Sequence, residues 1–123
     1  MRMSVVISTY ESPAWLEKVL WGYAGQDHRD LELIVADDGS GPATAALIER
    51  MADETGLEIR HVWHPDEGFR KCRILNLAIL EATADYLLFT DGDCIPRRDF
   101  TAAHASRARP GRWLSGSCLR LPM

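Results

Sequence analysis

A chain of 123 residues that is 46% hydrophobic and 26% charged has the length and apolar content of one compact globular domain, which excludes a disordered tail. Its formal charge of -4 and isoelectric point near 5.5 exclude a polyanion held by bulk electrostatics, so nucleic acid is not an expected partner, although a local basic patch can still hold a phosphate. Three scattered cysteines, Cys72, Cys94 and Cys118, are too few for a disulfide framework and leave one unpaired, which fits a reducing, cytoplasmic location. No segment approaches the roughly 20 apolar residues that span a bilayer, and the opening "MRMSVVISTYESPAW" is too briefly apolar for a signal peptide. Any peripheral attachment to a membrane is therefore expected from segments outside this chain.

In chain order, apolar runs alternate with helical patterns. "MSVVIS" (3 to 8) is short, β-branched and continuous, as a strand buried on both faces of a parallel sheet should be. "SPAWLEKVLWGYAG" follows as a helix, with Ser12 placed as N-cap, Pro13 at the first helical position, and Leu16, Val19, Leu20 and Tyr23 spaced i, i+3, i+4, i+7. "LELIVADDGSG" (31 to 41) is a second strand running into a polar turn, and "PATAALIERMADETG" a second helix between Pro42 and Gly56. "LEIRHVWH" (57 to 64) alternates as a third strand. "EGFRKCRILNLAILEATA" reads as a third helix with Phe69, Cys72, Leu75, Ile79 and Ala82 on one side, and "DYLLFTD" as the fourth strand. After Pro96, "RDFTAAHASRA" is a short helix and "RWLSGSCLRL" a candidate fifth strand. This βαβαβαβ order predicts an α/β fold: an open, mostly parallel sheet with helices on both faces, binding ligands beyond the carboxyl ends of its strands.

The polar clusters fall at those ends. Asp91 and Asp93 are two apart, so on an extended backbone both side chains leave one face, and Gly92 between them lets a ligand approach the main chain. Converging carboxylates raise each other's pKa unless a cation or donors lie between them, and a hard divalent ion, Mg2+ or Mn2+, bridging to phosphate oxygens would resolve the repulsion. The same "DGD" also reads as a plain polar turn with glycine at positive φ. Asp37 and Asp38 in "IVADDGSG" are either an Asx-type turn or an acceptor for a base N–H or ribose hydroxyl. Arg70, Lys71 and Arg73 open the third helix: Arg70 and Arg73 fall within about 60° of each other while Lys71 points elsewhere, a solvated cluster or an anion site for a diphosphate. His28, His61, His64 and His104 lack metal-ligand spacing and read as surface or packing residues, and the four tryptophans as core or interface. Cys94, among carboxylates, is a poor nucleophile.

Taken together, "VVISTYESPAWLEKVLWGYAGQ", "LELIVADDGSG", "DEGFRKCRILNLAI" and "YLLFTDGDCIP" resemble the nucleotide-sugar-binding half of family 2 glycosyltransferases of the GT-A fold, over essentially the whole chain. The resemblance implies a metal-dependent transfer of a sugar, with inversion, from a nucleotide-diphosphate sugar of UDP type to a glycan or other hydroxyl acceptor. It implies that Thr9 and Glu11 flank the base, Asp38 binds it, Asp91 meets the ribose or metal, Asp93 coordinates the ion, and Arg70 and Arg73 face the diphosphate. Two departures stand out: Leu75 precedes Asn76 where the family often has Arg, and the chain stops about thirty residues after Asp93, so the catalytic base is expected beyond Met123 and the sheet is expected to be truncated, with a self-associating apolar surface from Trp113 to Leu121. The alternatives are a non-catalytic nucleotide-binding module and, behind it, a Mg2+-binding response-regulator receiver. Against the receiver, the first strand ends "ISTYE" without an acidic pair and the last lysine is Lys71; a phosphatase of haloacid dehalogenase type would need a lysine and an acidic pair after Asp93, and a sugar-1-phosphate nucleotidyltransferase a glycine-rich loop after the first strand, and this sequence has neither.

Overall fold

The computed structural model describes residues 1–120. Eight elements alternate along it: β1 Met3–Thr9, α1 Pro13–Ala24, β2 Leu31–Asp37, α2 Pro42–Thr55, β3 Ile59–Trp63, α3 Lys71–Glu81, β4 Tyr86–Asp91 and α4 Phe100–Arg107. The four strands are all parallel and ordered β3-β2-β1-β4. The chain thus steps outward from β1 through β2 to β3, then returns to lay β4 on the other side of β1. The reversal between β1 and β4 opens a crevice at the carboxyl ends of the strands, where a parallel sheet takes its ligands.

The continuous apolar strands have the reason the sequence suggested: helices cover both faces. Met3, Val5 and Ile7 of β1 meet Leu33 and Val35 of β2 under α1 and α2, while the alternate residues Val6, Ile34 and Ala36 meet Ile74 and Ala78 of α3. Phe100 and Ala105 seat α4 on the α1–α2 side. Helix α1 buries Leu16, Val19, Leu20 and Tyr23, the stripe its spacing predicts, and α2 runs from Pro42 to a left-handed Gly56.

Four details differ from expectation. Ser12 occupies the N-cap position of α1, yet its hydroxyl donates backward to the Tyr10 carbonyl at 3.1 Å and caps nothing. Helix α3 starts at Lys71, after a left-handed Gly68, so Phe69 is outside it and 87% exposed, and Cys72 is exposed too. The fully buried face is Ile74 and Ala78, one turn apart, because small Ala36 and Ala78 let helix and sheet approach closely, while Leu75 and Ala82 of the expected stripe pack partly buried against the same cluster. None of the four tryptophans, read as core or interface, is in the core. Residues 112–120 form no strand and are exposed, and Leu121, the end of the expected fifth strand, lies outside the described residues. Among the described residues no helix is long and apolar enough to cross a membrane.

Candidate functional site

Ser8 of β1 and Asp91 of β4 are register partners at the crevice. The Ser8 hydroxyl donates to Asp91 Oδ1 at 2.8 Å, and Lys71 Nζ donates to the same oxygen at 3.0 Å. The hydroxyl bond first, and then Lys71, outweigh partial burial and hold the Asp91 carboxyl below its ordinary range. Mutual repulsion with Asp93 therefore does not raise it, because donors already stand beside it.

Asp93 reaches its place by a turn and not by strand alternation. The strand ends at Asp91, and the Cys94 N–H donates to the Asp91 carbonyl at 3.2 Å, which swings Asp93 round beside its neighbour. Gly92 has no positive φ; its N–H donates to the Ser8 carbonyl at 2.7 Å, and a Cβ there would stand 3.0 Å from that oxygen and 3.1 Å from Thr9 Cβ. Glycine is needed at this position for close approach to β1. Donor atoms of Asp91, Asp93 and Cys94 lie within 4.8 Å of one another. Burial and the Cys118 thiol push the Cys94 thiol up to about 12, and the two sulfurs are 3.4 Å apart.

At the end of β2 the two adjacent acids separate by task. Asp37 is fully buried; its Oδ1 accepts the Ser40 N–H at 2.9 Å and its Oδ2 pairs with His61 Nε2 at 2.8 Å, so it builds the turn. Asp38 turns to the cleft. Its Oδ1 lies 2.5 Å from His64 Nε2, its Oδ2 accepts the Arg70 N–H at 3.0 Å, and Arg73 Nη1 stands 2.5 Å from His64 Nδ1. Burial works to raise the Asp38 pKa, but the bonds from His64 and the Arg70 N–H overcome it and the carboxyl is lowered. Gly39, at φ +97°, packs so tightly that a Cβ would stand 2.6 Å from the Asp66 backbone.

These ends enclose a cleft of about 450 Å³ lined by Ser8, Thr9, Asp38, Lys71, Asp91 and Asp93, among others. Tyr10 donates its hydroxyl to Asp66 at 2.7 Å across one rim, and Thr9 Oγ1 is buried at the wall without a partner. Of the residues singled out from sequence, Thr9, Asp38, Asp91 and Asp93 meet here. Glu11 does not: at φ 48° its carboxylate turns to accept the Gly41 N–H at the start of α2, and its own N–H donates to Ser40 Oγ at 2.8 Å. Arg70 and Arg73 do not share a helix face, because Arg70 is the N-cap; its guanidinium bonds the Pro65 carbonyl at 2.9 Å and Glu67 at 3.2 Å. Lys71, which a helix begun earlier would turn aside, is the cation in the cleft. His64, read as surface or packing, is buried behind Asp38; its position one residue past β3 carries no spacing rule that points to an acid on β2.

The model of Glycosyl transferase family 2 matches residues 4–110. Validoxylamine A glucosyltransferase of Streptomyces hygroscopicus subsp. jinggangensis is 33% identical over 122 residues, 94% of this chain and 28% of that protein. Poly(ribitol-phosphate) beta-N-acetylglucosaminyltransferase TarS of Staphylococcus aureus is 30% identical over 95 residues, 76% of this chain and 16% of its own. Among solved structures, the mannosyltransferase PcManGT of Pyrobaculum calidifontis in complex with GDP-Man and Mn2+ superposes with a TM-score of 0.77 at 30% identity, covering 89% of this chain and 33% of that one. The chain thus spans between a sixth and a third of the length of these relatives.

Proposed function

Because the chain belongs to glycosyl transferase family 2, we propose that its residues 1–123 are the donor-binding part of an enzyme that transfers a sugar from a nucleotide-diphosphate sugar to a hydroxyl of a glycan or other acceptor. One observation carries the reading: an acceptor carboxylate, Asp38, and an acid pair with a lysine, Asp91, Asp93 and Lys71, line opposite sides of one cleft. That spacing of functions suits a nucleoside at one end and a diphosphate at the other. PcManGT, solved with GDP-Man and Mn2+, supports a nucleotide sugar and a divalent ion as the ligands.

In this reading Asp38 accepts a ring N–H of the base, as uracil offers, and the unpartnered Thr9 hydroxyl meets the nucleoside at the wall. Lys71 donates to the diphosphate, while Glu11, Arg70 and Arg73 act from behind by fixing the loops. The donor set fits Mn2+ or Mg2+: Asp91 Oδ1 is engaged by Ser8 and Lys71, which leaves Oδ2, and Asp93 is exposed beside it, a pair of hard oxygens that suits a hard cation completed by phosphate and water. When bound, such an ion offsets charge gathering on the departing diphosphate. Lys71 adds a fixed positive charge for the same purpose, and its position does not need to reorganise during the reaction. Displacement at the anomeric carbon then inverts configuration, with the acceptor's proton taken by a base in the acceptor-binding half, outside these residues.

We place the reaction in the cytoplasm, with any membrane attachment through other segments. Exposed Trp113 and Leu119 are a proposed self-association face; strictly monomeric light scattering at high concentration would remove it. The central test is titration calorimetry of the chain with UDP and with GDP, with and without Mn2+, repeated on Asp93→Ala. Binding that needs the metal and weakens at least about tenfold in the variant is the expected result. A folded chain that binds neither nucleotide would overturn the proposal.

A further inference from the structure

His64 is 3% exposed and Asp38 7%, so neither side chain can swing into solvent, and the contacts between them fix more than position. A guanidinium only donates. Arg73 Nη1 lies 2.5 Å from His64 Nδ1, so that ring nitrogen must be the acceptor. A neutral imidazole has one donor and one acceptor, and the proton therefore sits on Nε2, 2.5 Å from Asp38 Oδ1. On its other side Asp38 Oδ2 takes the Arg70 N–H at 3.0 Å. Each carboxylate oxygen then has one committed partner and one lone pair left, with the carboxylate plane set from two directions.

We propose that His64, oriented by Arg73, is a positioning residue for nucleoside recognition: it holds Asp38 in the single orientation and acceptor-only form in which that carboxylate reads a base N–H. The inference rests on the proposed donor-site function. Burial alone would favour a protonated Asp38, whose hydroxyl would offer a donor where an acceptor is wanted, and the bond from His64 is the largest influence against this. A base with a ring N–H at that place, such as uracil, is then matched, while cytosine, which presents a bare ring nitrogen there, leaves acceptor facing acceptor. Arg70 ties the same carboxylate to the start of α3, next to Lys71, so the base end and the diphosphate end of the cleft share one anchor.

The experiment compares wild type, His64→Gln, His64→Phe and Arg73→Met in the full chain, titrated with UDP, CDP and uridine in the presence of Mn2+, with folding followed by circular dichroism and thermal unfolding. A glutamine amide carries a donor and an acceptor at about the separation of the two ring nitrogens; phenylalanine keeps volume and removes both. His64→Phe should weaken UDP and uridine alike by about tenfold, the loss of one charge-assisted hydrogen bond, and narrow the preference for UDP over CDP. His64→Gln should recover affinity to within about threefold. Arg73 is exposed, so Arg73→Met preserves the fold if His64→Phe does not, and it should weaken uridine by the same factor as UDP, whereas a direct diphosphate contact would weaken UDP alone. Nitrogen-15 shifts of His64 at neutral pH should show a protonated Nε2 and a bare Nδ1. A folded His64→Phe that binds UDP as wild type does, a glutamine variant no better than phenylalanine, or an Arg73→Met defect confined to UDP would each overturn the inference. Failure of wild type itself to bind any nucleoside diphosphate would instead remove the donor-site function and this role with it.

Discussion

The two ends of the sheet treat their acids differently. At the amino ends, Glu32 is fully buried and both its oxygens are fully engaged: Oε1 accepts from Ser4 Oγ at 2.9 Å and Thr83 N–H at 2.8 Å, Oε2 from Thr83 Oγ1 at 2.7 Å and Arg2 at 3.2 Å. At the carboxyl ends, Asp91 spends one oxygen, Asp93 is exposed, Asp38 keeps a lone pair on each oxygen, and Thr9 Oγ1 has no partner. A satisfied buried acid stabilises the fold, while an acid with spare acceptors is ready for a ligand. The distinction lies in partners and exposure together: Glu32 has four partners and no exposure, Asp91 and Asp93 are exposed, and Asp38, with as many partners as the wholly buried Asp37, differs from it in lining the cleft.

The largest effect should come from Glu32→Ala, which strands the Ser4 and Thr83 donors in the interior. We expect a loss of about 3 kcal/mol and a melting temperature lower by about 10 °C, with the nucleotide affinity of the still-folded protein unchanged. A weakened affinity at constant stability would break the contrast. Gly39→Ala lies between the two classes, because its strained φ of +97° and the 2.6 Å approach of Asp66 both oppose a Cβ. About 2 kcal/mol of stability should be lost together with nucleotide binding, measured by denaturant unfolding and calorimetry on one sample. Lys71→Met, on an exposed ion pair, should leave the melting point within about 2 °C yet weaken UDP about tenfold. The Asp91 carboxyl should rise toward its ordinary value in the same variant, visible by carbon-13 titration.

The smallest effect is in acid. Burial pushes Glu32 up, but the Thr83 and Ser4 bonds with the neighbouring arginine outweigh it, and its pKa in the folded state is lowered from an ordinary value of 4.5. The unfolded chain then takes the proton first, so the contribution of Glu32 is complete above pH 4.5 and is lost as pH falls below that value through the folded pKa. Urea unfolding from pH 6 to pH 3 should show this slope, shallower in Glu32→Gln. An unaltered slope would assign the acid loss to Asp37, Asp38 and Asp91, whose pKa values are also lowered.

Most of the fold was legible because its signals are local. A β-branched run such as "VVI", a proline at the start of α1 and α2, and a stripe at i, i+3, i+4, i+7 express backbone sterics and the 3.6-residue turn within a few positions of one another. The limits appear at α3, where a left-handed Gly68 precedes a helix that starts only at Lys71 and the Arg70 N–H is spent on Asp38, just past β2, so a stripe drawn from Phe69 only partly meets the packed face. The fifth strand failed for a related reason: an apolar run becomes a strand only if a neighbour supplies its ladder.

The site divides along the same line. The amino-acid sequence by itself determined that acids stand at three strand ends, that glycine separates or follows them, and that a basic cluster opens α3, since these are matters of order along the chain. Only the tertiary structure decided that Asp38 and not Asp37 faces the cleft, that Lys71 and not Arg70 or Arg73 reaches Asp91, that Glu11 turns to α2, and that His64 stands behind Asp38. Those outcomes depend on β1 lying between β2 and β4, which brings Ser8 within 2.8 Å of Asp91 across 83 residues of chain. Hydrogen bonds are short-ranged and directional, so a one-residue change in a turn redirects every side chain that makes them.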